Sequence, residues 1–315
     1  MKVLKRIDYE ELGFFDASKI IKKHKKEADV WILLFLVFVN TICVNMCIAV
    51  CYSFFFKYQD LYAEDNGKIV YAQKLPVIIV TPFEMVTRTS FILHFVFEIL
   101  PLDIYAWMIV GLDGLFTSLM SCIAAHFCVL QEALRTIRPR CLKRLFLANN
   151  ENTIYDSNQL NAEMLEEMKK CILHLQMLIK SSAILEKIYN IQTCGQVMVS
   201  LFEMCFCLYL LTSSLDADVG SELTYLVSTS FELLLYCWFG NGVTEASVAI
   251  PDAIFKGDWL SSSREFKSCM LITMIRMRRP IYMTIGKFTP LTFTVFLSIG
   301  RAAYSFFTVL KSSSF

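Results

Sequence analysis

The sequence predicts an all-α fold: a bundle of transmembrane helices whose inner ends continue into long cytosolic helices. Apolar residues make up 56% of the 315 residues and charged residues only 19%, whereas soluble domains are about 45–50% apolar and about 25% charged. Five segments are also long and apolar enough to cross a lipid bilayer. The formal net charge of +1 excludes a strongly basic nucleic-acid-binding protein.

The first predicted span is residues 30–56, which contain no charged side chain. At about 1.5 Å per residue this segment reaches roughly 40 Å, enough for a hydrocarbon core of about 30 Å. Residues 1–29 are rich in charged side chains and lack the apolar core of a signal peptide. The sequence therefore predicts a cytosolic amino-terminal segment, 1–29, followed by a membrane domain, 30–315.

The predicted bundle has four further spans. Pro101 lies inside the second span of the five, where it could interrupt the helix. Arg301 is the one charged residue within the last span. The four spans are residues 91–134, 191–215, 223–244 and 288–310.

The distribution of Lys and Arg predicts that the amino terminus is cytosolic. The stretches 1–29, 135–180 and 256–287 contain 23 basic residues, whereas the two loops on the other side, 57–90 and 212–222, contain four. Basic residues are enriched in cytoplasmic segments. Because the number of spans is odd, the carboxyl terminus is expected outside the cell.

Two cytosolic stretches are predicted to be helices instead of loops. Residues 163–211 contain no Pro, so one helix could extend far below the membrane. Its lower part places five apolar residues on one face: Met164, Met168, Cys171, Leu175 and Leu178. Residues 264–279 show a similar pattern with Phe266, Met270, Ile272, Met274 and Met277. We expect an intracellular assembly platform, the alternative being solvated amphipathic linkers.

The chemistry-bearing residues do not predict an enzyme. The sequence lacks the motifs of the common hydrolases, nucleotide-binding proteins and dehydrogenases. His94 and Glu98 share a helix face, but the third group that a catalytic site needs is missing. The twelve Cys show no metal-ligand spacing. The prediction is a protein without a metal or cofactor, and hence a channel, transporter, receptor or scaffold.

The carboxyl-terminal half contains an ordered series of motifs. YCWFGN at 236–241 is followed by VTEASVAIPDAIFKGDW at 243–259, MIRMRRP at 274–280, GKF at 286–288 and IGRAAYSFFTVLK at 299–311. In this order and spacing the motifs resemble those of the insect odorant receptor family. The resemblance covers most of the chain from about residue 75 onward.

The resemblance implies a seven-helix bundle of the insect odorant-receptor type, with the amino end inside the cell. In that family the subunits form odorant-gated, cation-conducting tetramers with a shared olfactory co-receptor in the plasma membrane of sensory neurons. The five predicted spans correspond to the third to seventh helices, and the first two are expected to be absent. The implied partners are therefore the co-receptor, a small volatile odorant and membrane lipid.

Two alternatives remain open. The last helix of the related gustatory receptor family ends in a Thr-Tyr and Gln-Phe signature, whereas this sequence has Ala303 before Tyr304 and lacks the Gln, which favours the odorant receptor family. The other alternative is a non-conducting, truncated receptor or a helical scaffold. Odorant-dependent current would distinguish a channel from a scaffold.

The resemblance further implies that the last helix lines a cation pathway. Alignment of its TVLKSS segment places Val309, Ser312 and Ser313 at inward positions, and spacings of three and four put them on one helix face. The alternative is an ordinary lipid-facing helix end. Arg301, a charge within the same span, is expected at a subunit contact or beside the pore, the alternative being a side chain that extends to the membrane surface.

The predicted platform would provide the interface with the co-receptor. Its aromatic candidates are Trp238, Trp259 and Phe266, because cytosolic apolar faces have no lipid to cover them and aromatic residues are enriched in interface cores. The alternative is that these residues belong to the core of their own subunit.

The odorant pocket is expected among the outer halves of the spans. Volatile odorants are small and mostly apolar, so their pocket should be aromatic and aliphatic with few polar groups. His94 and Glu98, four residues apart, could supply the polar contact. The alternative for each residue is plain helix packing. The candidates are Tyr52, His94, Phe95, Glu98, Tyr225 and Thr229.

Overall fold

The structure, a computed structural model, describes residues 13–56, 62–65, 68–71, 88–149, 158–213 and 219–313. These residues form seven α-helices and two short β-hairpins. The described chain is therefore almost entirely helical, as the sequence predicts. The helices are α1 (Ala17–Phe56), α2 (Arg88–Arg135), α3 (Ile137–Asn149), α4 (Asn158–Ser213), α5 (Val219–Phe255), α6 (Arg264–Met277) and α7 (Phe293–Ser313).

Four of the described helices, α1, α2, α4 and α5, are long and apolar enough to cross a membrane. They contain the predicted spans 30–56, 91–134 and 223–244 and, up to Ser213, the span 191–215. The fifth predicted span corresponds to α7, whose apolar part, Phe293–Val309, is shorter. All 21 residues of α7 would reach about 32 Å, but the helix begins at Phe293 and not at residue 288 as predicted.

The later start of α7 results from a hairpin that the sequence analysis missed. Of the two described hairpins, the first pairs β1 (Tyr62–Asp65) with β2 (Lys68–Tyr71), and the second pairs β3 (Thr284–Ile285) with β4 (Thr289–Pro290). In the second turn, Gly286 and Lys287 have φ angles of 59° and 64°. This left-handed backbone, which tight hairpin turns use, reverses the chain before the last span.

Helix α2 passes through Pro101 without ending there. The missing N–H of Pro removes one backbone hydrogen bond, a defect that membrane helices tolerate when neighbouring groups satisfy the freed carbonyl. The 48 residues of α2 correspond to about 72 Å, more than twice a hydrocarbon core of about 30 Å. A large part of α2 therefore lies outside any bilayer that it crosses.

The long helix predicted over residues 163–211 is present and extends further at both ends, since α4 contains 56 residues. All five apolar residues predicted on one face of its lower part are buried. In α6 the prediction holds for Phe266, Met270 and Met277, which are buried. It is wrong for Ile272, which is 67% exposed, because two residues along a helix correspond to a rotation of about 200°.

The chain divides into two compact units. Unit 1 comprises Met1–Val30, Phe116–Val199 and Leu233–Arg301, and unit 2 comprises Trp31–Leu115, Ser200–Glu232 and Ala302–Phe315. The first boundary between the units, after Val30, lies one residue beyond the end of the predicted segment 1–29. Helix α1 begins at Ala17 and continues across this boundary. The predicted membrane domain, 30–315, is itself shared between the two units.

Aromatic side chains hold the helices together within each unit. In unit 1 the ring of Phe116 lies 4.5 Å from that of Tyr189 and 5.2 Å from that of Tyr236, centroid to centroid. These three residues connect α2, α4 and α5. In unit 2 the ring of Phe231 lies 5.6 Å from Trp31 and 5.0 Å from Phe38, which connects α5 with α1.

Buried ion pairs attach α3 to α4 in unit 1. The Arg140 and Glu167 side chains, each 2% exposed, pair at 2.9 Å between Nη1 and Oε2. Arg140 Nη2 also donates a hydrogen bond of 2.8 Å to the carbonyl oxygen of Ala133. Arg144 Nη1 lies 2.9 Å from the other oxygen of Glu167, and Lys170 Nζ lies 2.8 Å from it. One carboxylate therefore serves three cations.

This arrangement affects the titration of two α3 side chains. Burial alone would lower the pKa of Arg144, but its hydrogen bonds to Glu167 and Glu163 outweigh burial and raise the pKa above its ordinary value. Burial raises the pKa of the Cys141 thiol to about 12. Cys141 is therefore a neutral core residue at physiological pH.

Candidate functional site

One carboxylate and two hydroxyls meet between two helices of unit 2. Glu203 lies on α4, while Tyr225 and Thr229 lie one turn apart on α5. The Tyr225 hydroxyl donates to Glu203 Oε1 at 3.2 Å, and the Thr229 hydroxyl donates to Oε2 at 3.4 Å. Thr229 is buried, whereas Tyr225 is 38% exposed. These three residues are called the Glu203 site below.

Tyr225 and Thr229 are two of the predicted pocket residues, and the structure brings them together on a carboxylate to which the sequence analysis gave no role. A signal for Glu203 was available. It is the single charged residue between Lys187 and Asp216, and a charge within a membrane span is costly and usually functional.

The remaining pocket candidates lie on α1 and α2. His94 and Glu98 are 3% and 2% exposed, so both face the inside of the protein, and they share one helix face as their spacing predicts. His94 Nδ1 lies 2.7 Å from the carbonyl oxygen of Ser90 in the preceding turn. Phe95 is half-buried, and the side chain of Tyr52 lies outside the described residues. A pocket role for these four residues stays a prediction.

The described side chains of unit 2 are strongly acidic. They include six carboxylates and one basic group, Lys311, whose ammonium lies 6.0 Å from the centroid of the Phe307 ring. The described side chains of unit 2 therefore have an excess of acidic groups within a largely apolar environment, where charges interact more strongly than in water. The six acids are Glu98, Asp103, Asp113, Glu203, Glu222 and Glu232.

Helix α7 has one buried face and one exposed face. Ile299, Ala303 and Phe307, four residues apart, are buried. Val309 is 60% exposed and Ser312 is exposed, and the Ser312 hydroxyl donates to the carbonyl oxygen of Val309 at 2.8 Å. Arg301 is exposed as well, and the side chain of Ser313 lies outside the described residues. The exposed face of α7 can thus contact water, lipid or another subunit.

The three predicted interface residues differ in accessibility. Phe266 is 4% exposed and lines a small cavity with Met164 and Met168. It belongs to the core of its own chain, so its prediction as a partner anchor is corrected. Trp259 is half-buried and donates through Nε1 to the carbonyl oxygen of Phe255 at 3.1 Å.

Trp238 remains accessible, being 38% exposed. Its ring packs edge-on against Phe293, with 5.5 Å between the centroids, and its Nε1 lies 3.3 Å from Glu27 Oε1. The outer face of α6 is a second accessible surface, which the sequence analysis missed. Leu271, Ile272 and Ile275 are 56%, 67% and 56% exposed there. Their i, i+1 and i+4 spacing puts them on the side opposite Phe266 and Met270.

Comparisons with known proteins give a consistent assignment. The family model described as 7tm Odorant receptor matches residues 2–304. Odorant receptor 2a of Drosophila melanogaster is 22% identical over 230 residues, which cover 72% of this chain and 56% of the relative. Odorant receptor 82a of the same species is 21% identical over 242 residues, covering 76% and 58%. The chain thus spans a little over half the length of these curated relatives.

A solved structure shares the fold. The insect olfactory receptor OR5 from Machilis hrabei, in complex with eugenol, superposes with a TM-score of 0.75 at 14% sequence identity. The match covers 99% of this chain and 73% of that chain. A second structure of the same receptor superposes with a TM-score of 0.74. These matches are to odorant receptors and not to enzymes.

Proposed function

The chain belongs to the 7tm odorant receptor family, and we propose that it is the odorant-detecting subunit of a ligand-gated cation channel. It is a multi-pass membrane protein with an odorant-receptor fold. The family match favours odorant over gustatory receptors. The observation that best supports ligand binding is the Glu203 site, where the carboxylate of α4 accepts hydrogen bonds from two hydroxyls of α5 between apolar helices. Few, convergent polar groups in an apolar setting are typical of small-molecule sites.

The ligand is a small volatile odorant. OR5 from Machilis hrabei, which has the same fold, was solved with the small molecule eugenol. The Glu203 site provides the polar contact for the ligand, and the buried His94 and Glu98 on α2 are the second candidate contact.

The last helix lines the cation pathway in the assembled channel. Its exposed face contains Val309 and Ser312, while the opposite face is buried within the chain. A pore helix needs this asymmetry, because one face packs on its own subunit and the other borders the pathway. Arg301, exposed on the same helix, is the candidate for a subunit contact or a pore-region charge.

The partner is the olfactory co-receptor, and the complex is a hetero-tetramer in the plasma membrane of sensory neurons. Trp238 and the outer face of α6 support this proposal, because both expose large apolar side chains in unit 1. Trp259, half-buried, stays a candidate at the edge of the interface. The excess of Lys and Arg in 1–29, 135–180 and 256–287 supports a cytosolic amino terminus and an extracellular carboxyl terminus.

Odorant-dependent current tests the proposed function. Cells that express the chain with an olfactory co-receptor should respond to at least one volatile in a broad panel, whereas cells with the co-receptor alone should not respond to that volatile. The double variant Ile272→Ser/Ile275→Ser should reduce co-precipitation with the co-receptor, and Leu260→Ser, an equally exposed apolar loop residue, should not. Odorant binding without current would instead support a non-conducting receptor.

A further inference from the structure

The Glu203 carboxylate has capacity for more hydrogen bonds than the described side chains supply. An ionised carboxylate offers about four acceptor positions, and two are taken by the hydroxyls of Tyr225 and Thr229. Both contacts, at 3.2 and 3.4 Å, are long compared with the usual O–H···O distance of about 2.7–2.8 Å. The two contacts are therefore weak, and positions on the carboxylate are left for a stronger donor.

The surroundings of this carboxylate favour a cation. Glu222 lies on α5, one turn before Tyr225, so its charge adds to the negative potential of Glu203. The described basic group of unit 2, Lys311, is on α7 with its ammonium over the Phe307 ring. Among the described side chains of unit 2, negative charge therefore dominates at the α4–α5 contact.

One aromatic ring is bonded to the same carboxylate, and a second lies one helical turn after it. The Tyr225 ring, bonded to Glu203 through its hydroxyl, is 38% exposed. Phe206, one turn after Glu203 on α4, is 61% exposed, and residues three apart lie on neighbouring positions of a helix surface. Aromatic faces attract ammonium groups through their quadrupole. A carboxylate bonded to an exposed Tyr, with a second exposed aromatic residue one turn away, is a combination that suits an organic ammonium ion.

We propose that Glu203, bonded to Tyr225 and one turn from Phe206, binds the protonated amino group of a small amine, so that this receptor detects amine odorants. This inference rests on the proposed function and specifies the ligand class of its site. The ammonium donates hydrogen bonds to Glu203 and places a positive charge beside its carboxylate. An alcohol offers one neutral donor, and an ether offers none.

The test compares three ligands with the same carbon skeleton: a primary amine, the corresponding alcohol and its methyl ether. At pH 7 the amine is protonated, since the pKa of an alkylammonium group is about 10. In cells expressing the chain and the co-receptor, the half-maximal concentration should be lowest for the amine and highest for the ether. Glu203→Gln should raise the half-maximal concentration of the amine about tenfold or more, the factor that a charge-assisted hydrogen bond contributes. The same substitution should change the half-maximal concentration of the ether by less than about twofold.

A matched variant controls for the loss of a carboxylate elsewhere on the helices. Glu245 is an exposed acid on α5, in unit 1, where its carboxylate accepts a hydrogen bond of 2.7 Å from Asn241. Glu245→Gln should leave the order and spacing of the three ligands unchanged. The proposal would be overturned if Glu203→Gln shifted the half-maximal concentrations of all three ligands equally. It would also be overturned if Glu245→Gln caused the same loss of amine sensitivity.

A second readout separates this inference from the channel function. The thermal unfolding midpoint of the purified chain should rise with the amine and not with the ether, and Glu203→Gln should remove the increase. Stabilisation by the amine without any current would contradict the channel proposal and support the ligand class. Current that shows no preference for the amine would support the channel proposal and contradict the ligand class.

Discussion

At the scale of single residues, the Arg140–Glu167 pair shows how strongly a buried charge depends on its partner. Both side chains are 2% exposed and paired at 2.9 Å. Removing one member of such a pair leaves the other without compensation, at a cost of about 3–5 kcal/mol. We therefore expect Glu167→Gln to lower the free energy of unfolding of unit 1 by about that amount, measured as a lower thermal midpoint of the purified protein.

Glu166 provides the control for this prediction. It is the preceding residue on α4, its side chain is 60% exposed, and it pairs with the exposed Lys169. Exposed pairs of this kind contribute little to stability, so Glu166→Gln should leave the midpoint unchanged. Equal midpoints for the two variants would show that burial of the Arg140–Glu167 pair does not contribute to the fold.

The sequence predicted residue positions well only where helical spacing alone decides them. Met164, Met168 and Leu175 are buried on one face of α4 as predicted. Phe266 and Trp238 were given the same role, but Phe266 is core and Trp238 is exposed. Tertiary packing decides which of two aromatic side chains contacts another helix of the same chain. The spacing of residues along one helix does not predict this.

At the scale of secondary-structure elements, Gly240 controls how closely α5 approaches the segment before α7. A Cβ at this position would lie 2.8 Å from both the carbonyl oxygen and the Cδ2 of Leu291. Because one of these atoms is backbone, it cannot move away cheaply. Gly240→Ala should therefore destabilise the protein by about 1–3 kcal/mol, the usual cost of overpacking, measured by denaturant or thermal unfolding.

Gly242, on the same helix, makes the opposite prediction. No atom lies within 4 Å of a Cβ built there, so the added methyl group meets nothing. Gly242→Ala should be neutral or stabilising by up to about 1 kcal/mol, because Ala has the higher helix propensity. If Gly240→Ala is as stable as Gly242→Ala, the close approach to Leu291 is not a constraint.

Element boundaries were the least predictable feature at this scale. The apolar run that gave the last span does not show where the chain reverses, so the hairpin at Thr284–Pro290 was missed and α7 begins five residues after the predicted 288. Pro101 had the opposite effect, since its local preference suggested a break, whereas α2 continues through it. The four long apolar helices, in contrast, follow from composition and length, whereas the fifth predicted span corresponds to the shorter apolar part of α7.

For the whole molecule, hydrophobicity predicted the membrane class and the closing motifs predicted the family. The division into two units was not foreseen, because it depends on where helices longer than the bilayer pack against one another. The Glu203 site was foreseen only in its α5 half. Its α4 residue is 22 positions away from Tyr225, and the sequence alone does not pair them.

The central claim is that this chain both binds the odorant and lines the cation pathway. It is tested most directly by recording odorant-evoked currents, as dose–response curves and reversal potentials with different cations on the two sides of the membrane. Wild type, Glu203→Gln and Val309→Ala are compared with the same co-receptor. We expect Glu203→Gln to shift the half-maximal concentration with an unchanged reversal potential, and Val309→Ala to shift the reversal potential with an unchanged ligand order. Currents that are identical in both respects for all three proteins would contradict the claim.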